Sequence, residues 1–163
     1  MNYKRLGCIA VLLMVLIFPA SASLVSFLVL ETGLNEGASG TQYGTIWEEA
    51  LMSSFFNAGH IVTNSPILRM EQKPAQDLTG QVKADFDEAA LSGAEYYVLG
   101  FLYYEIRGRA AAPVDIALKT YKTNTGELVF EQNFPVGIGR NPREEYQFAQ
   151  NAALVIISQL KDR

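Results

Sequence analysis

Residues Gly93 to Ile106 (Gly-Ala-Glu-Tyr-Tyr-Val-Leu-Gly-Phe-Leu-Tyr-Tyr-Glu-Ile) constrain this chain more than any other stretch. The run is too long and too rich in aromatic and branched residues to be a loop, and it lacks the strict polar alternation of a strand with one wet face. It therefore reads as a central strand covered on both sides, with Gly100 marking a bulge or a close backbone approach.

The segments before it alternate in period. Leu24–Leu30 is a buried strand. Thr45-Ile46-Trp47-Glu48 reads as a capping box opening a helix with an inner stripe of Trp47, Ala50, Leu51, Ser54, Phe55 and Ala58, and Gly59 ends that helix. His60–Thr63 is a short second strand. Pro66 and Pro74 bracket a short helical turn, and a second helix starting between Gln76 and Thr79 runs to about Ser92 with Val82, Phe86, Ala89 and Ala90 inward.

After the central strand, Arg107–Pro113 reads as a connection. Val114, Ile116, Leu118 and Thr120 then alternate with polar neighbours, as in a half-buried strand. Thr123-Asn124-Thr125-Gly126 turns the chain into a return strand with Leu128, Phe130, Gln132 and Phe134 on one side. Asn141 caps a last helix, with Pro142 in its first turn and Ala149, Ala152, Ala153, Ile156, Ile157 and Leu160 inward. The expected fold is α/β at the α+β boundary: one domain, a mixed sheet of about five strands in the order β-α-β-α-β-β-β-α, with helices on both faces.

The amino-terminal residues follow a different logic. Lys4 and Arg5 precede an uncharged apolar run from Leu6 to Phe18, Pro19 breaks it, and Ala20-Ser21-Ala22 has the small-x-small form of a cleavage site. Residues 1–22 are read as a secretory signal peptide cut after Ala22, leaving 23–163 as a periplasmic or secreted domain. The competing reading is a retained anchor over residues 9–30. Cleavage removes Lys4, Arg5 and no acid, taking the formal charge from −4 to −6. Such an acidic domain is a poor partner for nucleic acid or anionic membranes. Cys8, the single cysteine, lies inside the signal and ahead of its apolar run, so it does not serve for lipid attachment.

The order of elements resembles a known group: the periplasmic α/β domains of the TolB amino-terminal domain, the curli-secretion lipoprotein and the lipoprotein activators of penicillin-binding proteins. The likeness is carried by Ser92-Gly93-Ala94-Glu95-Tyr96-Tyr97-Val98-Leu99-Gly100 at the entry to the central strand. Ile116–Tyr121 with the Thr125-Gly126 turn and Leu128-Val129, and the closing amphipathic helix, extend it. The resemblance implies an envelope domain that works by contacting other proteins.

No residue set names a reaction. His60 is the single histidine and has no second His or Cys with which to hold a metal. Ser53, Ser54 and Ser65 lack a nucleophile elbow. Glu48/Glu49 and Asp85/Asp87/Glu88 lie on helices and read as solvated faces. The glycine loop Gly33–Gly44, with Asn35 and Gln42, stands where α/β folds bind phosphates but fits neither dinucleotide nor Walker spacing. It reads as a surface or recognition loop. Tyr96 and Tyr97 read as core, whereas Tyr103 and Tyr104 are expected to emerge beside Arg107 and Arg109 as a second contact surface. Catalytic, cofactor-binding and metal-binding residues are accordingly expected to be absent. The expected function is a non-enzymatic accessory domain docking to a larger envelope protein. The alternatives are a small secreted hydrolase and a soluble carrier of a small ligand.

Overall fold

The computed structural model describes residues 22–34, 42–107, 110–136 and 140–161. Six strands and three helices are found among them: β1 (Leu24–Thr32), α1 (Gln42–Asn57), β2 (Ile61–Asn64), β3 (Leu68–Met70), α2 (Gly80–Leu91), β4 (Tyr96–Arg107), β5 (Ala110–Lys122), β6 (Leu128–Phe134) and α3 (Pro142–Lys161). The strands form one mixed sheet in the order β2-β1-β4-β5-β6, with β3 pairing the upper half of β1 on the β2 side. β1 is parallel to β2, β3 and β4, while β4-β5-β6 is antiparallel throughout.

Alternation along β1 divides the interior. Val25, Phe27 and Val29 face α1 and α3, with Trp47, Phe55, Ile116, Leu118 and the alanine stripe of α3. Leu28 and Leu30 face α2, with Val82, Phe86, Tyr97, Leu99 and Phe101. The central strand thus has both faces covered, as its composition requires. Gly100 is neither the bulge nor a close backbone approach: a Cβ there would make ordinary contact with Leu118 Cδ2 at 3.4 Å and lie 3.9 Å from the Leu28 carbonyl oxygen. The bulge falls between Tyr103 and Tyr104, where the partner steps from Asp115 to Pro113. Pro113, which has no N–H, sits beyond the last β6 pairing at Ile116 and so removes no ladder bond there.

Several expectations are corrected. Helix α1 begins at Gln42, so Thr45 lies within it and caps nothing. Residues 68–70 form a strand, because β1 extends past β2 and leaves Leu30–Thr32 to be paired. The sheet therefore has six strands. β5 is covered on both faces, with Ala117 and Tyr121 under α2. Arg107 and Ala110–Pro113 belong to β4 and β5, so that "connection" is mostly a two-stranded ribbon, and Gly108 and Arg109 lie outside the described residues. In β6, an extra residue at Val129 shifts the register and sends Val129 inward, leaving Leu128 41% exposed.

The helix ends follow their sequences. Gly59 takes φ +94°, and the His60 N–H bonds the Phe55 carbonyl at 3.1 Å, closing α1. Asn141 Oδ1 accepts the N–H groups of Arg143 and Glu144 at 3.0 Å, and the Glu144 carboxylate accepts the Asn141 N–H at 2.9 Å. This reciprocal cap opens α3.

Candidate functional site

The crossover through α1 leaves β1 on one side and the crossover through α2 reaches β4 on the other. The carboxyl end of β1 is therefore a topological switch point, where open α/β sheets hold ligands. Here that place is filled from within. Glu31 is fully buried; Tyr104 Oη donates to its Oε1 at 2.8 Å and Arg69 Nε to its Oε2 at 2.9 Å. Gly44, in the first turn of α1, lies so close that a Cβ would meet Oε1 at 2.5 Å. The chain's own carboxylate stands against the helix end where an anion would otherwise be stabilised. Gly33, at φ +83°, passes against the Tyr104 carbonyl, and any Cβ would collide with it. Residues 35–41 of the glycine loop lie outside the described residues.

A second buried carboxylate holds the next turn of α1. Glu145, in the first turn of α3, accepts Trp47 Nε1–H at 2.8 Å and pairs with Arg140 Nε at 3.0 Å. The Arg140 guanidinium lies 3.8 Å from the Phe148 ring centroid and donates to the Pro135 carbonyl. On the opposite face, Asp77 accepts from Lys119 Nζ at 2.8 Å and Tyr121 Oη at 2.6 Å, and Lys119 also pairs with Glu131. Burial alone would raise the Asp77 carboxyl, but the Lys119 and Tyr121 hydrogen bonds and the Lys119 and Lys73 charges outweigh it and hold it below its ordinary value. Burial, with the Asp85 carboxylate accepting its hydroxyl at 2.7 Å, keeps Tyr97 protonated.

The sequence candidates for chemistry do not converge. The His60 imidazole packs on the Phe55 ring at 5.4 Å, with no serine hydroxyl or carboxylate among the described residues placed to form a catalytic pair with it. Burial, then the Lys161 charge, lowers its pKa. Ser54 donates to Ala50 of its own helix; Asp87 pairs with Lys83 on the solvated face of α2. Tyr96 and Tyr97 are core, as expected. Of the pair expected to emerge, Tyr103 is 39% exposed, but Tyr104 is buried: it keeps the inward phase of Tyr96, Val98 and Leu102 on the α1/α3 face, and its hydroxyl reaches Glu31.

A groove lies open at the sheet's edge. It lies between α1 and β2, holds about 480 Å³, and is lined by Glu48, Glu49, Met52, Ser53, Phe56, Val62 and Asn64, with Thr45 at one end. Phe56, 66% exposed, stands at one end of it. Asn64 Nδ2 donates to Glu48 Oε1 at 3.0 Å at the other. The sequence reading assigned Glu48 and Glu49 to a solvated face and missed the groove, because β2 had not been recognised as an edge strand.

A single mixed α/β domain with this strand order defines a structural class, and particular solved proteins share it. No family model and no curated protein sequence matches the chain. Among solved structures, the PelC dodecamer from Paraburkholderia phytofirmans is similar at a TM-score of 0.50 and 13% identity, over 85% of this chain and 87% of that one. TolB from Acinetobacter baumannii follows at 0.48 and 13%, over 87% of this chain and 29% of that one. The C-terminal domain of LpoB from Salmonella enterica follows at 0.44 and 19%, over 78% and 93%. The TolB and penicillin-binding-protein activator group named from the sequence is represented among these structures, and at these identities the likeness to PelC is one of fold alone.

Proposed function

We propose that this chain is an exported, non-enzymatic accessory domain of the bacterial cell envelope that acts by docking onto a larger envelope protein. Residues 1–22 direct export and are cut after Ala22; residues 23–163 work in the periplasm or outside the cell. The observation that carries this reading is the contrast between carboxylates tied to their neighbours and an open apolar groove. Glu31, Glu145, Asp77 and Asp85 are each bonded to neighbours that position structure. The α1–β2 groove exposes Phe56 and Met52 to whatever approaches. The fold shared with PelC supports the reading.

The test is photo-crosslinking in cells with a reactive residue placed in turn at Phe56, Leu91, Tyr103 and Leu154, all exposed and distributed over the surface. One envelope protein recovered from a contiguous subset of positions is expected. Export without any adduct at all positions would overturn the docking reading.

A further inference from the structure

β2 ends the sheet, and its backbone is half used. The Ile61 N–H bonds the Ser23 carbonyl and the Ser65 N–H bonds the Phe27 carbonyl, both at 3.1 Å. In a parallel ladder the donors facing one neighbour recur every second residue, so the N–H groups of Val62 and Asn64 point away from β1, towards the open edge. The edge is short, because Pro66 interrupts it before β3. The opposite edge, β6, is bulged at Val129 and carries Glu131 on its exposed surface. At β2 an open edge borders an apolar groove, and the charged groups lining that groove are both acidic, Glu48 and Glu49.

We propose that β2 accepts a short extended segment of the partner as an added strand. That segment carries an apolar side chain over Met52 and Phe56 and, towards Asn64, a basic side chain facing Glu48 and Glu49. Backbone bonds to the Val62 and Asn64 edge provide the attachment, and the groove provides the selection. The sign of the charge excludes an acidic segment and disfavours a second copy of this chain, whose formal charge is −4. This inference rests on the docking reading and names where and what it docks.

The test uses the full chain and two acetylated peptides, one repeating Val-Thr-Lys-Thr (the Val-Lys peptide) and one repeating Val-Thr-Glu-Thr (the Val-Glu peptide), so that Val and the charged residue share one face of the strand, with amide hydrogen exchange read by residue. The Val-Lys peptide is expected to slow exchange at Val62 and Asn64 about tenfold near saturation, leaving β6 unchanged. Val62→Pro removes the outward donor and leaves the Ile61 and Ser65 bonds; it is expected to abolish binding while those two amides stay protected. Glu49→Lys is expected to weaken the Val-Lys peptide and admit the Val-Glu peptide, a readout independent of the proline variant. Equal binding of both peptides, protection elsewhere than β2, full binding by Val62→Pro, or protection of Val62 that grows with protein concentration alone would each overturn the proposal. Cellular crosslinks confined to Tyr103 or Leu154 would discard this groove while preserving the docking reading.

Discussion

The two faces of the sheet are closed by different means. Under α1 and α3, charged groups are taken fully inside: Glu31 and Glu145 are 0% and 2% exposed, each bonded to an aromatic donor and an arginine. Under α2, the polar ties stay at the margin; the Lys119 and Asp77 side chains keep 14% and 22% exposure. One helix over a face leaves its border wet, so a carboxylate there retains some solvation. Two helices packed side by side close the border, and a carboxylate beneath them must find all its partners in the protein. The first face is therefore rigidly specified and costly to edit; the second is adjustable by pH.

The sharpest way to break this contrast is Glu145→Ala. It strands Arg140 and Trp47 Nε1–H beneath α3 and is expected to cost about 3–5 kcal/mol in urea unfolding. A cost below that of Asp77→Asn would show that the face under α1 and α3 tolerates an unpaired charge. Next come two glycines at helix starts. Gly44→Ala drives a methyl against the Glu31 carboxylate, with an expected loss of about 1–3 kcal/mol. Gly80→Ala meets no neighbouring atom and suffers only its φ of +53°, with an expected loss of about 1–2 kcal/mol. Equal near-ultraviolet circular dichroism in both variants would count against the idea that Gly44 is fixed by contact and Gly80 by backbone alone.

Smaller effects follow from titration. The folded Asp77 carboxyl lies below its ordinary 3.8, so the unfolded chain binds that proton first. Its contribution is intact above pH 3.8 and disappears as pH falls through the folded value; Asp77→Asn should flatten that stretch of the stability curve. His60, beside Phe55, is shifted below its ordinary 6.5 by burial and by Lys161, so the unfolded chain again protonates first. Stability should fall slightly as pH drops below 6.5, and His60→Gln should remove that slope. A rise instead would mean that the Glu95 charge and the Ser23 backbone outweigh burial and Lys161.

Much of the frame was legible in residue order. Asn141-Pro142, the α3 stripe, the Gly59 stop and the Gly126 turn act locally, and local chemistry can be read locally. The buried carboxylates were not read, although Glu145 sits one turn ahead of Ala149 on the same stripe and could have been reached by continuing the period backwards. Glu31 offered only its place at the end of an apolar strand. β3 escaped because three residues carry no period, and what makes them a strand is the unpaired end of β1 in the distant sequence. Tyr104 was misplaced although plain alternation from Tyr96, Val98 and Leu102 puts it inside; its buried partner Glu31 lies far away in the sequence.

The pairing of β1 has a consequence for the order in which the chain is made. Leu24–Phe27 wait for Ile61–Asn64, and Val25–Thr32 wait for Tyr96–Tyr103. The strand synthesised first is thus completed only when the middle of the chain has appeared, whereas β4, β5 and β6 can close on one another as neighbours. A chain emerging end first through a narrow passage would keep its most apolar strand unpaired, and itself threadable, until the bulk of the domain had come through.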